Sequence, residues 1–270
     1  MRVIISAGGT GGHIYPALAI INKIKEEEPD SEFLYIGTTD RMEKDLIPSM
    51  GYRYEGLEVT GLKRKLSLDN IKTITNFFGA IKKAKVIIKD FNPDVVIGCG
   101  GYVTAPVIYA AKKLGKRTFI HEQNSVVGLA NKFLSKYTDK VGVSFESTIN
   151  DFPKGKAVLT GNPCSEKALS IKKTTKKELE IDEDKKLVLI VMGSLGSRSV
   201  NDKIFSFIDN FRNKNYSVII VTGNSYYEKV KDKRVPKNVK VLPFIYEMPK
   251  VMKITDLMVT RAGASTMSEI

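Results

Sequence analysis

The stretch that decides the fold stands at the amino terminus: Arg2-Val3-Ile4-Ile5-Ser6-Ala7-Gly8-Gly9-Thr10-Gly11-Gly12-His13-Ile14-Tyr15-Pro16. A β-branched run gives way to four glycines in five positions, then to Pro16 at a plausible helix start and the amphipathic segment Ala17 to Glu28. A continuous apolar run reads as a strand buried on both faces, and the change of period after it marks a βα unit. Glycines let the backbone approach a ligand closely, with N–H groups and a helix N-terminus facing it, which suits phosphate or pyrophosphate. A tight strand-to-helix turn is the plainer alternative, but it needs one or two glycines rather than four. The spacing is not G-x-G-x-x-G, since a match begun at Gly9 would need glycine where Ile14 stands, so a nicotinamide dinucleotide loses its main support. No G-x-x-x-x-G-K-[ST] loop occurs, which argues against a nucleoside triphosphatase.

The same alternation continues outward. Candidate strands are Glu32 to Gly37, Asp94 to Gly98, Arg117 to His121 and Lys140 to Ser144, with amphipathic segments Val103 to Leu114 and Leu129 to Tyr137 between them. Right-handed crossovers then give an α/β, doubly wound, Rossmann-like layer. After Asn162-Pro163, the Lys-, Thr- and Glu-rich stretch Ser165 to Asp184 reads as a linker with a short surface helix. Strands at Leu187 to Met192, Ser217 to Thr222, Val239 to Leu242 and Asp256 to Thr260 predict a second Rossmann-like domain. The expected division is 1–163 and 164–270. The second series stops in the first turns of a helix opened by Gly263-Ala264-Ser265-Thr266, so truncation by one or two βα units is the expectation.

Composition narrows the class. The 270 residues are 42% hydrophobic and 27% charged, as in ordinary globular domains. No apolar run reaches the ~20 residues of a membrane span, and the N-terminal run is too short for a signal peptide. Cys99 and Cys164 give neither metal spacing nor a disulfide framework, which makes a reducing cytoplasm the default. Forty-three Lys and Arg against 30 acids leave a net charge of +13, implying a polyanionic partner.

Ligands of parallel α/β sheets bind beyond the carboxyl ends of the strands. One such end reads Gly98-Cys99-Gly100-Gly101-Tyr102 and another His121-Glu122-Gln123-Asn124, so both histidines, His13 and His121, fall at strand ends. Each is either a satisfied structural residue or a general base or phosphate contact; no third ligand at suitable spacing supports a zinc site. In the second domain, Met192-Gly193-Ser194-Leu195-Gly196-Ser197 and Thr260-Arg261-Ala262-Gly263-Ala264-Ser265-Thr266-Met267-Ser268-Glu269 place small residues and hydroxyls at two helix starts. They suit a diphosphate or serve as caps, and Glu269 could read the two hydroxyls of a ribose.

Gly8 to Ala19, Gly100-Gly101-Tyr102-Val103, His121-Glu122-Gln123-Asn124, Thr160-Gly161-Asn162-Pro163 and Arg261 to Thr266 together resemble, in order along the whole chain, the MurG family, the lipid-linked N-acetylglucosaminyltransferases of bacterial peptidoglycan synthesis. The resemblance implies the GT-B architecture, two Rossmann-like domains facing each other across a cleft. It implies inverting, metal-independent and cofactor-free transfer of GlcNAc from UDP-GlcNAc to the muramyl 4-hydroxyl of undecaprenyl-diphospho-MurNAc-pentapeptide (lipid I), giving lipid II. Carried over by position, it puts Thr10, Gly11, Gly12, Asn124, Ser194, Ile245, Ala264, Ser265, Thr266 and Glu269 at the donor. Gly9, Gly12, His13, Gly101, Tyr102, Glu122 and Gln123 fall at the acceptor. Where the family has Asn-Pro-Val-Arg this chain has Asn162-Pro163-Cys164-Ser165, and where it has Gly-Gly-Ser-Gln-Gly this chain has Met192-Gly193-Ser194-Leu195-Gly196. A glutamine-containing loop expected near the donor sugar would follow Ile270.

Inversion requires a base within reach of the acceptor hydroxyl, and His13 is the candidate. A lipid acceptor also requires a route to a membrane. Leu62 to Lys89 holds eight bases against the single acid Asp69, interleaved with apolar residues. Lys63, Arg64, Lys65, Phe77, Phe78 and Ile81 are the expected contacts with an anionic leaflet at the cytoplasmic face, and a core-packed helix with a solvated lysine face is the alternative. A nucleic-acid partner is not expected, because the bases scatter over both domains without a binding motif. Another GT-B glycosyltransferase, or a UDP-GlcNAc 2-epimerase-like enzyme, is the alternative activity.

Overall fold

The computed structural model describes residues 1–61, 69–193 and 196–270, with the backbone alone at 69–72 and Lys167. It divides into two compact units, Met1–Cys164 and Ser165–Ile270. The first runs β1 (Arg2–Ser6), α1 (Gly11–Glu27), β2 (Glu32–Thr38), α2 (Glu43–Ser49), β3 (Arg53–Leu57), α3 (Asp69–Phe91), β4 (Val95–Gly98), α4 (Thr104–Lys113), β5 (Arg117–Glu122), α5 (Leu129–Leu134), β6 (Lys140–Val143) and β7 (Ala157–Leu159). All pairings are parallel, in the order β3-β2-β1-β4-β5-β6-β7.

Period-2 alternation splits β1 between two cores. Val3 and Ile5 pack with Ile14, Leu18 and Ile21 of α1 on one face, while Ile4 packs with Ala84, Ile88 and Phe91 of α3 and Val107 and Ile108 of α4 on the other. Helices therefore cover both faces, which is why the strand reads as unbroken apolar sequence. Burying each such side chain contributes about 1.5–3 kcal/mol.

Helix α3 corrects part of the membrane expectation. Its inward stripe is Ile81, Ala84, Ile88 and Phe91, spaced by three and four residues, and Ile81 is 7% exposed. Ile81 belongs to the core and is removed from the surface set. Phe77 packs partly against that core, whereas Phe78 and Ile74 are exposed beside Lys82 and Lys85 on the same helix. Lys63, Arg64 and Lys65 lie outside the described residues. No described helix is long and apolar enough to cross a membrane.

The second unit follows α6 (Pro163–Ser170) with β8 (Lys186–Val191), α7 (Arg198–Ser206), β9 (Tyr216–Val221), α8 (Asn224–Val230), β10 (Val239–Leu242), α9 (Met248–Met252), β11 (Leu257–Thr260) and α10 (Ala264–Glu269). Its parallel order is β10-β9-β8-β11, the pattern of β3-β2-β1-β4 in the first. Each unit is thus Rossmann-like.

Candidate functional site

In both sheets the strand order reverses at one place, between β1 and β4 and between β8 and β11. Such a switch point opens a crevice beyond the strand carboxyl ends. Every glycine loop singled out in the sequence leaves one of these four strands.

The loop after β1 is shorter than expected, because α1 starts at Gly11 and Pro16 sits inside it. Gly11 and Gly12 form the first turn, where backbone N–H groups have no intrahelical partner. Gly9 has φ +90° with nothing within 4 Å of where a Cβ would stand, so the space over it is open. Gly101, at φ +89°, is different: a Cβ there would overlap the Gly8 carbonyl, so the loops after β1 and β4 touch backbone to backbone. His13 is half-buried with Nδ1 3.1 Å from the Gly8 carbonyl oxygen, and its ring lies against Gly100, whose Cβ would come within 2.7 Å of Cδ2. Thr10 is half-buried beside it, its Oγ1 3.4 Å from Nδ1. Tyr102 stands out from the rim at 65% exposure, its ring over Gly61.

The segment after β5 divides sharply. Asn124 is exposed, but Glu122 and Gln123 are 1% and 2% exposed. Glu122 accepts from Asn124 N (3.0 Å), Asn124 Nδ2 (2.9 Å), Gly128 N (2.9 Å) and Asn131 Nδ2 (3.0 Å), while Gln123 Nε2 donates to the Cys99 carbonyl (3.0 Å). These two were expected at the acceptor; the structure instead places them behind the rim, where they shape the loop that presents Asn124. His121 is also sealed. Its Nε2 lies 3.0 Å from the Gly161 carbonyl oxygen and 3.2 Å from Thr160 Oγ1, and burial lowers its pKa, keeping the ring neutral. Of the two histidines, only His13 reaches the rim. Cys99 and Cys164 are both buried, and burial pushes the Cys99 thiol far above its usual range.

In the second unit, Gly193 (φ +84°) is exposed with open space around it, and Ser194 lies outside the described residues. Gly196 (φ +70°) packs where a Cβ would overlap the Thr222 carbonyl, which also accepts from Asn201 Nδ2 at 2.9 Å. Ile245 is half-buried against the core formed with Val251. Gly263 caps α10, whose Ala264, Ser265, Thr266 and Glu269 are all half-buried. Among the described residues, no group of three His, Cys, Asp or Glu side chains is placed to hold a metal ion.

One buried residue escaped the sequence reading. Glu43, at the start of α2 and 0% exposed, accepts from Thr38 N (3.1 Å), Thr38 Oγ1 (2.7 Å) and Gly9 N (3.2 and 3.3 Å to its two oxygens). It stands behind the glycine loop, thirty-four positions along the chain from Gly9. Only the parallel pairing of β2 beside β1 brings Thr38 and the loop to the same carboxylate.

Residues 3–143 match the N-terminal domain of glycosyltransferase family 28 and residues 187–270 match its C-terminal domain. The chain is 48% identical over its whole length to the UDP-N-acetylglucosamine–N-acetylmuramyl-(pentapeptide) pyrophosphoryl-undecaprenol N-acetylglucosamine transferase 1 of Bacillus cereus, covering 76% of that protein. It is 47% identical to the corresponding transferase of Listeria welshimeri, again covering 76%. The crystal structure of Acinetobacter baumannii MurG superposes with a TM-score of 0.66 at 28% identity, over 98% of this chain and 74% of that one. A UDP-GlcNAc 2-epimerase from Neisseria meningitidis shares the fold alone, with a TM-score of 0.64 at 16% identity over 98% and 78% of the two chains. The resemblance read from the glycine loops is borne out across both units: this chain belongs to glycosyltransferase family 28.

Proposed function

We propose that the chain transfers GlcNAc, with inversion, from UDP-GlcNAc to the muramyl 4-hydroxyl of undecaprenyl-diphospho-MurNAc-pentapeptide, forming lipid II for peptidoglycan. The observation that carries this reading is the 48% identity over the whole chain to transferases named for that reaction. The exposed rim residues are compatible with it. His13 Nε2 takes the proton of the acceptor hydroxyl as its oxygen bonds to the anomeric carbon and the bond to the UDP oxygen breaks. Gly9, Gly12, Gly101 and Tyr102 line the acceptor side. Thr10, Gly11, Asn124, Ser194, Ile245, Ala264, Ser265, Thr266 and Glu269 serve the donor, with backbone N–H groups at the starts of α7 and α10 offering donors to the leaving diphosphate.

The enzyme then works at the cytoplasmic face of an anionic membrane, held by the exposed Phe78 and Ile74 and the lysines of α3, with Lys63, Arg64 and Lys65 adding charge. Each base near such a surface contributes about 1 kcal/mol.

The test supplies labelled UDP-GlcNAc and lipid I in vesicles with and without anionic lipid. Lipid II forms, faster on anionic vesicles; His13→Ala lowers turnover by on the order of 100-fold or more, and Phe78→Ser weakens the vesicle effect. Conversion of the donor to its 2-epimer without transfer overturns the assignment, and near-normal turnover by His13→Ala removes that side chain from the chemistry.

A further inference from the structure

We propose that Glu43 is a positioning residue that fixes the tautomer of His13 through the peptide bond between Gly8 and Gly9. That single peptide group is held at both ends. Its N–H donates to the Glu43 carboxylate at 3.2 Å, and its C=O faces His13 Nδ1 at 3.1 Å. Among the described residues no peptide bond is cis, and in a planar trans peptide N–H and C=O point in opposite directions. Drawing the N–H toward Glu43 therefore turns the carbonyl toward the imidazole.

A carbonyl oxygen only accepts, so Nδ1 carries the proton and Nε2 keeps its lone pair. Donation from the N–H to a carboxylate also polarises the peptide and makes its oxygen a better acceptor. The fit around Glu43 is tight. A Cβ on Gly8 would overlap Oε1, and one on Gly37 would come within 2.7 Å of Cγ. Thr38 supplies two further donors, and among the described residues no lysine or arginine pairs with this carboxylate. Oε1 and Oε2 are thus spent on backbone and hydroxyl donors that tie the end of β2 to the loop after β1. His121 has the opposite arrangement, since its Nε2 faces the Gly161 carbonyl.

The chain has only these two histidines, so labelling with 15N-histidine yields two imidazole spectra. The wild-type chain shows one Nδ1–H ring, His13, and one Nε2–H ring, His121. Glu43→Gln keeps the shape but sets an amide NH2 against the donors. In it His13 shifts to a mixture of tautomers while His121 is unchanged, the latter reporting an intact fold. Glu43→Ala gives the same shift if it folds, and Glu43→Gln decides if it does not. A His13 ring that stays wholly Nδ1–H in folded Glu43→Gln overturns the proposal.

The kinetic arm rests on His13 being the base of the proposed transfer: kcat falls on the order of 10-fold in Glu43→Gln with donor KM within about twofold. A shifted tautomer with unchanged kcat leaves Glu43 its role and removes His13 as base, so the two readings fail separately.

Discussion

The glycine-lined ends of the two sheets share a topology and differ in what stands behind them. In the first unit two buried carboxylates do the holding: Glu43 gathers Gly9 and Thr38, and Glu122 gathers Asn124, Gly128 and Asn131. In the second unit a neutral amide, Asn201, and the close packing of Gly196 meet at the Thr222 carbonyl. A carboxylate is an acceptor with room for about four hydrogen bonds, so one side chain can organise a loop that has no regular structure of its own. A primary amide tied to one carbonyl fixes only a strand end. The first rim is accordingly preset by two buried carboxylates that each gather several donors, and the second by one amide and the close packing of backbone.

Deletion tests that contrast most directly. Glu122→Ala strips the acceptor from four N–H groups, the Asn131 amide among them buried, and should cost about 4 kcal/mol in urea unfolding, against about 1 kcal/mol for Asn201→Ala. Equal losses would dissolve the distinction between the two rims. The glycines give a smaller difference. Gly101→Ala combines a left-handed backbone with overlap on the Gly8 carbonyl and should cost about 3 kcal/mol, whereas Gly193→Ala meets only the conformational penalty, about 1 kcal/mol. Comparable costs at the two positions would mean that the loops after β1 and β4 yield easily.

The smallest effect is one of pH. Burial makes His121 hold a proton less tightly in the folded chain than its usual pKa of 6.5. Below that pH the unfolded chain takes up the proton first, so the stability that the neutral ring confers is whole above about 6.5 and is lost as the pH falls. His121→Gln should flatten the acid side of the unfolding midpoint against pH; an unchanged slope assigns the pH dependence to other groups.

Much of this was legible without coordinates. Where both faces of a strand are buried, as in β1, β4 and β8, apolar runs announce it, and the glycines after them mark the places where the chain must turn tightly beside open space. The edge strands of the first sheet were not legible, though those of the second were. β3 reads Arg53-Tyr54-Glu55-Gly56-Leu57 and buries only Leu57 fully, while β7 is three residues of which Val158 and Leu159 are about half exposed. Half-covered strands carry mixed residues that look like loop. Ile81 was misplaced because Phe77, Phe78 and Ile81 do share a helical side, and spacing alone does not reveal which edge of that side turns inward. Glu43 was hidden for a different reason. It sits in Asp40-Arg41-Met42-Glu43, an ordinary charged helix start, and acquires partners only when β2 lies down beside β1.

The burial of both sulfhydryls has a practical corollary. With Cys99 and Cys164 enclosed, a cysteine substituted at Val158 or at Met267, both exposed, would be the one thiol in the chain open to maleimide or spin-label chemistry. Either unit could then carry a single dye or nitroxide without first removing a native cysteine, so nucleotide or lipid engagement could be followed in an otherwise unaltered polypeptide.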